Sequence, residues 1–182
     1  MLQPKSLVLR PAVSSDSSAI ARVHIAGWQS AYRGIIADEY LDSLSIDQRQ
    51  AFWRQQMHHE PCLLQVAEEP ARGVVGFAFA GAHHGNFREY RGEIHAIYVL
   101  DQFQRHGLGR KLFAAAAAAL LEANFQTMMV WALKQNPYRK FYERLGGQLL
   151  GEETTCIGNR ELIQVAYGWP DLGAVVSTTN NN

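Results

Sequence analysis

In the stretch Glu93-Ile-His-Ala-Ile-Tyr-Val-Leu-Asp-Gln-Phe-Gln-Arg-His-Gly-Leu-Gly-Arg-Lys-Leu112, an apolar strand runs into a loop with two glycines, and the loop opens a helix. Such a junction aims free backbone N–H groups and the positive end of the helix dipole at one spot. Gly107 and Gly109 carry no Cβ, so an anion can approach the backbone closely there. Arg105, His106, Arg110 and Lys111 add positive charge around it. The expected ligand is anionic and phosphate-bearing. A third glycine at the spacing of a dinucleotide fingerprint is missing, and so is the Gly-Lys-Ser/Thr of a P-loop. Two glycines alone also make an ordinary tight strand-to-helix turn, so further residues have to carry the assignment.

Outward from this junction, strands and helices alternate. Upstream, Leu7–Arg10 reads as a strand, and Ser14, Ser15 and Asp16 as an N-cap for a helix reaching about Gln29. Residues 37–44 and 46–57 read as helical. Residues 62–67 and 74–80 read as a hairpin about a Glu-Pro-Ala-Arg-Gly turn, and 81–92 as a long loop. Downstream, residues 107–123 form a helix containing six consecutive alanines, Ala114–Ala119, a smooth surface suited to lying close on a sheet. Residues 128–133 are a further strand, and 138–145 a short helix closed by Gly146-Gly147. Two final strands, 148–152 and 161–167, turn at Gly158-Asn159. The expected fold is a single α/β domain over residues 7–168, a mixed sheet flanked by helices, with 169–182 left as a C-terminal tail that frays.

A length of 182 residues fits one domain, and 47% hydrophobic residues is enough for a sizeable core. Seventeen Lys and Arg balance 17 Asp and Glu, which speaks against a general nucleic-acid binder. No apolar run approaches the roughly 18 residues of a membrane span, and the first residues lack a secretory h-region, so a cytoplasmic protein is expected. Cys62 and Cys156 stand in no metal or redox spacing. His58-His59 and His83-His84 are adjacent pairs rather than ligands one helical turn apart, so no metal is expected.

Gln104-Arg-His-Gly107-Leu-Gly109, preceded by a strand ending Tyr98-Val99-Leu100, resembles the Gln/Arg-x-x-Gly-x-Gly/Ala signature of the GNAT N-acetyltransferase superfamily. A second stretch, Asn136-Pro-Tyr-Arg-Lys-Phe141-Tyr142-Glu-Arg-Leu-Gly146-Gly147, is similar to that family's Asn-x-x-Ala-x-x-Phe-Tyr-x-x-x-Gly-Phe pattern. It departs from it in Arg139 for alanine and Gly147 for the aromatic. His24-x-x-x-Trp28-x-x-x-Tyr32-Arg-Gly is similar to the acceptor-side helix and loop of many bacterial members. The resemblance covers about residues 7–168.

The resemblance implies the GNAT fold: a mostly antiparallel central sheet whose two parallel central strands, here 93–100 and 128–133, splay apart. It implies acetyl-CoA as cosubstrate and no metal. Cofactor contacts would come from Ile97, Tyr98, Val99, Gln104, Arg105, His106, Gly107, Leu108, Gly109, Arg110, Asn136 and Tyr142. The acceptor would be an amine, on a small molecule or on a peptide or protein, attacking directly in a ternary complex beside Trp28, Tyr32 and His95. Glu93 would be the base, on one strand face with His95, Ile97 and Val99 by alternation, with His95 a second member or alternative base, and Tyr142 the acid at the departing thiolate. A non-catalytic acyl-CoA sensor is the alternative. Dimerisation is common in the family.

Overall fold

The computed structural model describes residues 7–59 and 61–180. One seven-stranded sheet organises the chain: β1 (Val8–Pro11), β2 (Leu63–Glu69), β3 (Gly73–Ala82), β4 (Gly92–Val99), β5 (Met128–Leu133), β6 (Gln148–Ile157) and β7 (Arg160–Trp169), in spatial order β1-β2-β3-β4-β5-β7-β6. Every neighbouring pair is antiparallel except β4 and β5, which are parallel. The link between them runs through α4 (Leu108–Glu122), as a parallel connection requires.

Helices cover both faces. On one, Leu108, Leu112, Phe113, Ala116, Ala117 and Leu120 of α4 pack on Val75, Ala78, Ala80, Ile94 and Val99. The alanines let the helix sit low on the strands, and Ala116 and Ala117 are fully buried. On the other face, Ile20, Ala21 and Val23 of α1 (Ser17–Tyr32), with Trp53 of α3 (Ile46–Gln56), cover Leu64, Val66, Val74 and Phe77. His24 of α1 is buried among Trp28, Trp53, Phe77 and Tyr98, and burial pushes its imidazole down to about 3, so it is a neutral core residue. Two short helices, α2 (Asp38–Asp42) and α5 (Lys140–Arg144), lie between these elements.

Several expectations need correction. Residues 14–16 form a 3-10 turn, and Asp16 turns back instead of capping α1: it accepts from Val13 N–H at 2.8 Å and pairs with Arg10 at 2.7 Å. Helix α1 runs past Gln29 to Tyr32. The last hairpin is twice as long as expected on its first arm, because β6 continues through Ile157 on an exposed edge whose polar alternation gave no strong apolar signal. The expected fraying tail is neither loose nor outside the core. Trp169 ends β7, its indole donating to Leu145 C=O at 2.9 Å, and α6 (Leu172–Asn180) docks with Leu172 fully buried beside α4. Asn181 and Asn182 lie outside the described residues.

Bonds to Arg10 and to Val13 hold the Asp16 carboxyl below its usual value, against the opposing effect of burial. It therefore stays ionised to lower pH in the folded chain than in the unfolded one. Its stabilisation is complete above about pH 5 and fades as pH falls below the unfolded value of about 3.9. Asp16→Asn is expected to lower the unfolding free energy by about 1–3 kcal/mol at neutral pH and to flatten the acid limb of stability, both read by urea denaturation across pH.

Candidate active site

β4 and β5 pair at only two positions, Gly92 with Met128 and Glu93 with Met129. Beyond them the strands part, and a cleft of about 640 Å³ opens between them. Leu100 N–H donates to Val75 C=O at 2.9 Å, so by alternation the backbones of Leu100 and Tyr98 face β3, while those of Ile97 and Val99 face the cleft. Gln104 closes one end: its side-chain amide donates to Val99 C=O at 2.9 Å and to Asp101 at 3.0 Å. That commits the Gln104 side chain to tying the loop back to the strand.

The glycine loop then enters α4 through two residues in the left-handed region, Arg105 at φ 63° and Gly107 at φ 80°. Lys111 N–H makes the first helical bond, to Gly107 C=O at 3.1 Å, which leaves the N–H groups of Leu108, Gly109 and Arg110 without helical acceptors. Arg105, Gly107, Gly109 and Arg110 line the cleft; His106 and the Leu108 side chain do not, Leu108 being buried in the core and His106 exposed. Arg144 of α5 joins the cationic rim, a residue the sequence motif did not single out. The result is a concave anion site at the start of a 15-residue helix.

The opposite wall is aromatic. Tyr32, Tyr98, Trp131, Phe141 and Tyr142 all border the cleft. Tyr32 and Tyr98 hydroxyls lie 3.3 Å apart, and Asn136, nearly buried, caps the following 3-10 turn by accepting from Tyr138 N–H at 2.9 Å. Burial pushes the Tyr142 hydroxyl up, with Tyr32 adding to the effect, so it holds its proton throughout the neutral range. Its ring is fixed against Phe141, Tyr167 and Trp169. Trp28, expected on this wall, is not there. It packs behind Tyr32 with Ile36, Leu41 and Leu133, under the Arg49 guanidinium.

Glu93 departs furthest from expectation. Ala80 pairs with Ile94 and Phe79 with Ala96, so His95 is the extra residue of a β-bulge. Strict alternation would have put Glu93, His95, Ile97 and Val99 on one face. Instead Ile94, Ile97 and Val99 pack toward α4, Ala96 and Tyr98 toward α1, and Glu93, one residue before Ile94, turns to the α1 side. There its two oxygens are taken by two imidazoles: Oε2 lies 2.6 Å from His83 Nδ1, and Oε1 lies 3.1 Å from His95 Nδ1. Glu93 does not border the cleft, whereas His95 does. Burial alone would raise the Glu93 carboxyl, but the contacts to His95 and then His83 hold it below its usual value. The His95 ring leans on Phe79, and its Nε2 lies over Gly81, where a Cβ would come within 3.1 Å. Nothing in the spacing pointed to His83 as a partner of Glu93, because the contact depends on how the loop between β3 and β4 folds back.

Comparison with known proteins adds four findings. A family model described as FR47-like protein matches residues 74–157, from β3 through β6. YuaI, an uncharacterized N-acetyltransferase of Bacillus subtilis (strain 168), is 34% identical over 174 residues, 96% of this chain and 99% of that one. A probable N-acetyltransferase of Mycobacterium tuberculosis is 26% identical over 79% of this chain and 80% of its own. Among solved structures, a putative acetyltransferase of Salmonella typhimurium with acetyl-CoA superposes with a TM-score of 0.68 at 20% identity, covering 92% of this chain and 95% of that one.

A carboxylate only accepts hydrogen bonds, so ionised Glu93 requires a proton on Nδ1 of both His83 and His95 and leaves each Nε2 with its lone pair when the rings are neutral. Nitrogen-15 NMR at about pH 8.5, above the ordinary imidazole value of about 6.5, is expected to show both rings as Nδ1–H tautomers. Glu93→Gln is expected to shift His95 toward the Nε2–H form that dominates in free histidine side chains. An Nε2–H tautomer at His95 in the unsubstituted protein would refute the arrangement.

Proposed function

The chain belongs to the GNAT superfamily of N-acetyltransferases, and on that premise we propose that it carries an acetyl group from acetyl-CoA to a primary amine by direct attack in a ternary complex. One observation carries the reading: a single cleft holds an anion site at the α4 N-terminus, an imidazole backed by a carboxylate, and a buried tyrosine hydroxyl. The N–H groups of Leu108, Gly109 and Arg110 and the side chains of Arg105, Arg110 and Arg144 suit the pyrophosphate of CoA. The cleft-facing backbone of Ile97 and the N–H of Val99, whose C=O is taken by Gln104, suit an extended amide chain such as pantetheine, which would add to the β4 edge as a strand does.

Attack on a thioester needs a neutral amine, and an alkylamine with a pKa of about 10.4 is only about 0.04% neutral at pH 7. A base beside the cleft removes that handicap. We assign it to His95, which borders the cleft, with Glu93 behind it as the positioning carboxylate: Glu93 fixes the tautomer and favours the imidazolium that forms, so that the base expected of Glu93 is divided between two residues. As the amine nitrogen bonds to the carbonyl carbon and the carbon–sulfur bond breaks, His95 Nε2 takes the amine proton and passes it to solvent. Tyr142 stands ready for the departing sulfur. With its own value raised, it is a weaker acid than a thiol of about 8.5, so it serves as a hydrogen-bond donor to the thiolate; complete proton transfer would be uphill.

Free-thiol release measured with acetyl-CoA and a panel of amines tests the scheme. On an accepted amine, His95→Gln and Glu93→Gln are each expected to lower kcat by about 100-fold or more while leaving acetyl-CoA affinity within twofold. Tyr142→Phe, which keeps the ring and loses the hydroxyl, is expected to lower kcat by about 10-fold, the value of one hydrogen bond of about 1.4 kcal/mol. Unchanged turnover in His95→Gln would sink the base assignment. Binding of acetyl-CoA with no amine-dependent thiol release across the panel would favour the sensor.

A further inference from the structure

We infer that His83 is a positioning residue for acetyl transfer, holding one oxygen of Glu93 so that the other stays on His95; the inference rests on the base assignment above. The geometry distinguishes the two imidazoles that share this carboxylate. His95 sits on the cleft wall with its side chain a third exposed, so its Nε2 can exchange a proton with a substrate or with water. The His83 side chain is 2% exposed, and its Nε2 is buried with no hydrogen-bond partner among the described residues. His83 can therefore donate from Nδ1 but has no route by which to relay a proton onward. It is suited to hold the carboxylate, and the 2.6 Å contact is the shorter of the two.

The surrounding loop is built to keep that ring in place. His83 N–H donates to Arg91 C=O at 2.8 Å, tying the start of the loop to its end. Gly85 passes over the ring so closely that a Cβ there would lie 2.8 Å from His83 Cε1. Further along, Phe87 packs on Trp131 and over Gly151 with a strained φ of 30°. Asn86 bonds Glu153 at 2.5 Å, and Thr127 accepts Arg91 N–H and donates to Glu89 C=O. A buried nitrogen without a partner opposes folding, so the ring is held there against its own preference, and the bond to Glu93 is what it gains. Without it, the Glu93 carboxylate has one remaining partner, is free to rotate about its last torsion, and no longer confines His95 to one orientation and one tautomer. Among the described residues, His95 and His83 are the titratable groups that act on Glu93.

Three variants assayed beside His95→Gln decide the matter. His83→Phe keeps the ring's shape and removes the donor; it is expected to remain folded by thermal melting, to lose about 10-fold in kcat, and to keep its KM for acetyl-CoA within twofold. His83→Asn, which returns an N–H near the place of Nδ1, is expected to recover most of that loss. His83→Leu replaces the Phe variant if the latter does not fold. Normal kcat in the Phe or Leu variant, or equal loss in Asn and Phe, overturns the inference, and so does failure of both Phe and Leu to fold, which would make His83 a residue of folding alone. Slow turnover in His95→Gln with normal turnover in His83→Phe removes this inference and leaves the base standing. Normal turnover in His95→Gln removes both.

Discussion

The cleft and its anion site follow from the parting of β4 and β5 after two paired residues. A sheet interrupted in its centre leaves backbone donors and acceptors of both strands without partners, and such groups are rarely left unpaired away from water. Here the parting is braced at both ends. Below it, Gly92 N–H bonds Thr127 C=O at 3.0 Å and β5 is fully laddered to β7. Above it, Gln104 spans back to Val99 C=O. The same gap receives the start of α4, since a parallel crossover has to enter its helix at the carboxyl end of the strand it leaves. Cleft, anion site and helix N-terminus are one consequence of one topological fact.

The parts legible in the sequence are those written into backbone requirements. Gly107 sits at φ 80°, a conformation that favours glycine, and the run of alanines lies where a helix must approach strands closely. Asn136 does stand at the mouth of a capped turn beside the cleft. These features are local, and a local pattern survives translation into three dimensions. Trp28 and Glu93 were harder for a stated reason. Helical spacing places Trp28 one turn before Tyr32, on the same face of α1, but it does not say that α2 and β5 close over that position. Alternation along β4 fails at His95, because a bulge adds a residue and reverses every later side chain relative to Glu93.

That bulge has a chemical effect as well as a geometric one. Had the strand been regular, Glu93 would lie on the α4 side with Ile97 and Val99, in an apolar layer with no cation for company. Turned to the α1 side, it meets two imidazoles and stays ionised despite its burial. On the base assignment proposed above, a carboxylate kept charged despite its desolvation would stabilise the imidazolium formed at His95 during the reaction. In that proposal the side chain that takes the amine proton is not the carboxylate that supplies the driving force.

Balance of charge over the whole chain conceals a similar division of labour. Residues 105–111 hold Arg105, Arg110 and Lys111 with no acid, and Arg144 comes to the same rim from α5. An excess of acids in residues 37–47 invites the idea of a negative surface that draws in a cationic acceptor. Arg33 meets part of it: its guanidinium lies 2.9 Å from Asp42 and 3.5 Å from Asp38, on the exposed side of α2. Such exposed pairs add little to stability, and the one guanidinium offsets one of the two carboxylate charges, so the stretch keeps a net negative charge on a solvated face. Among the described residues no Asp or Glu borders the cleft, and its neutral walls are Tyr32, Tyr98, Trp131, Phe141 and Tyr142. Attraction of an ammonium ion there has to come from aromatic faces and hydroxyls, which also hold the neutral amine, whereas a carboxylate would stabilise the protonated form that cannot attack. A cleft that is cationic at the α4 N-terminus and lined by neutral aromatic side chains at its other end therefore suits the proposed reaction, with the CoA phosphates at the first and the amine at the second.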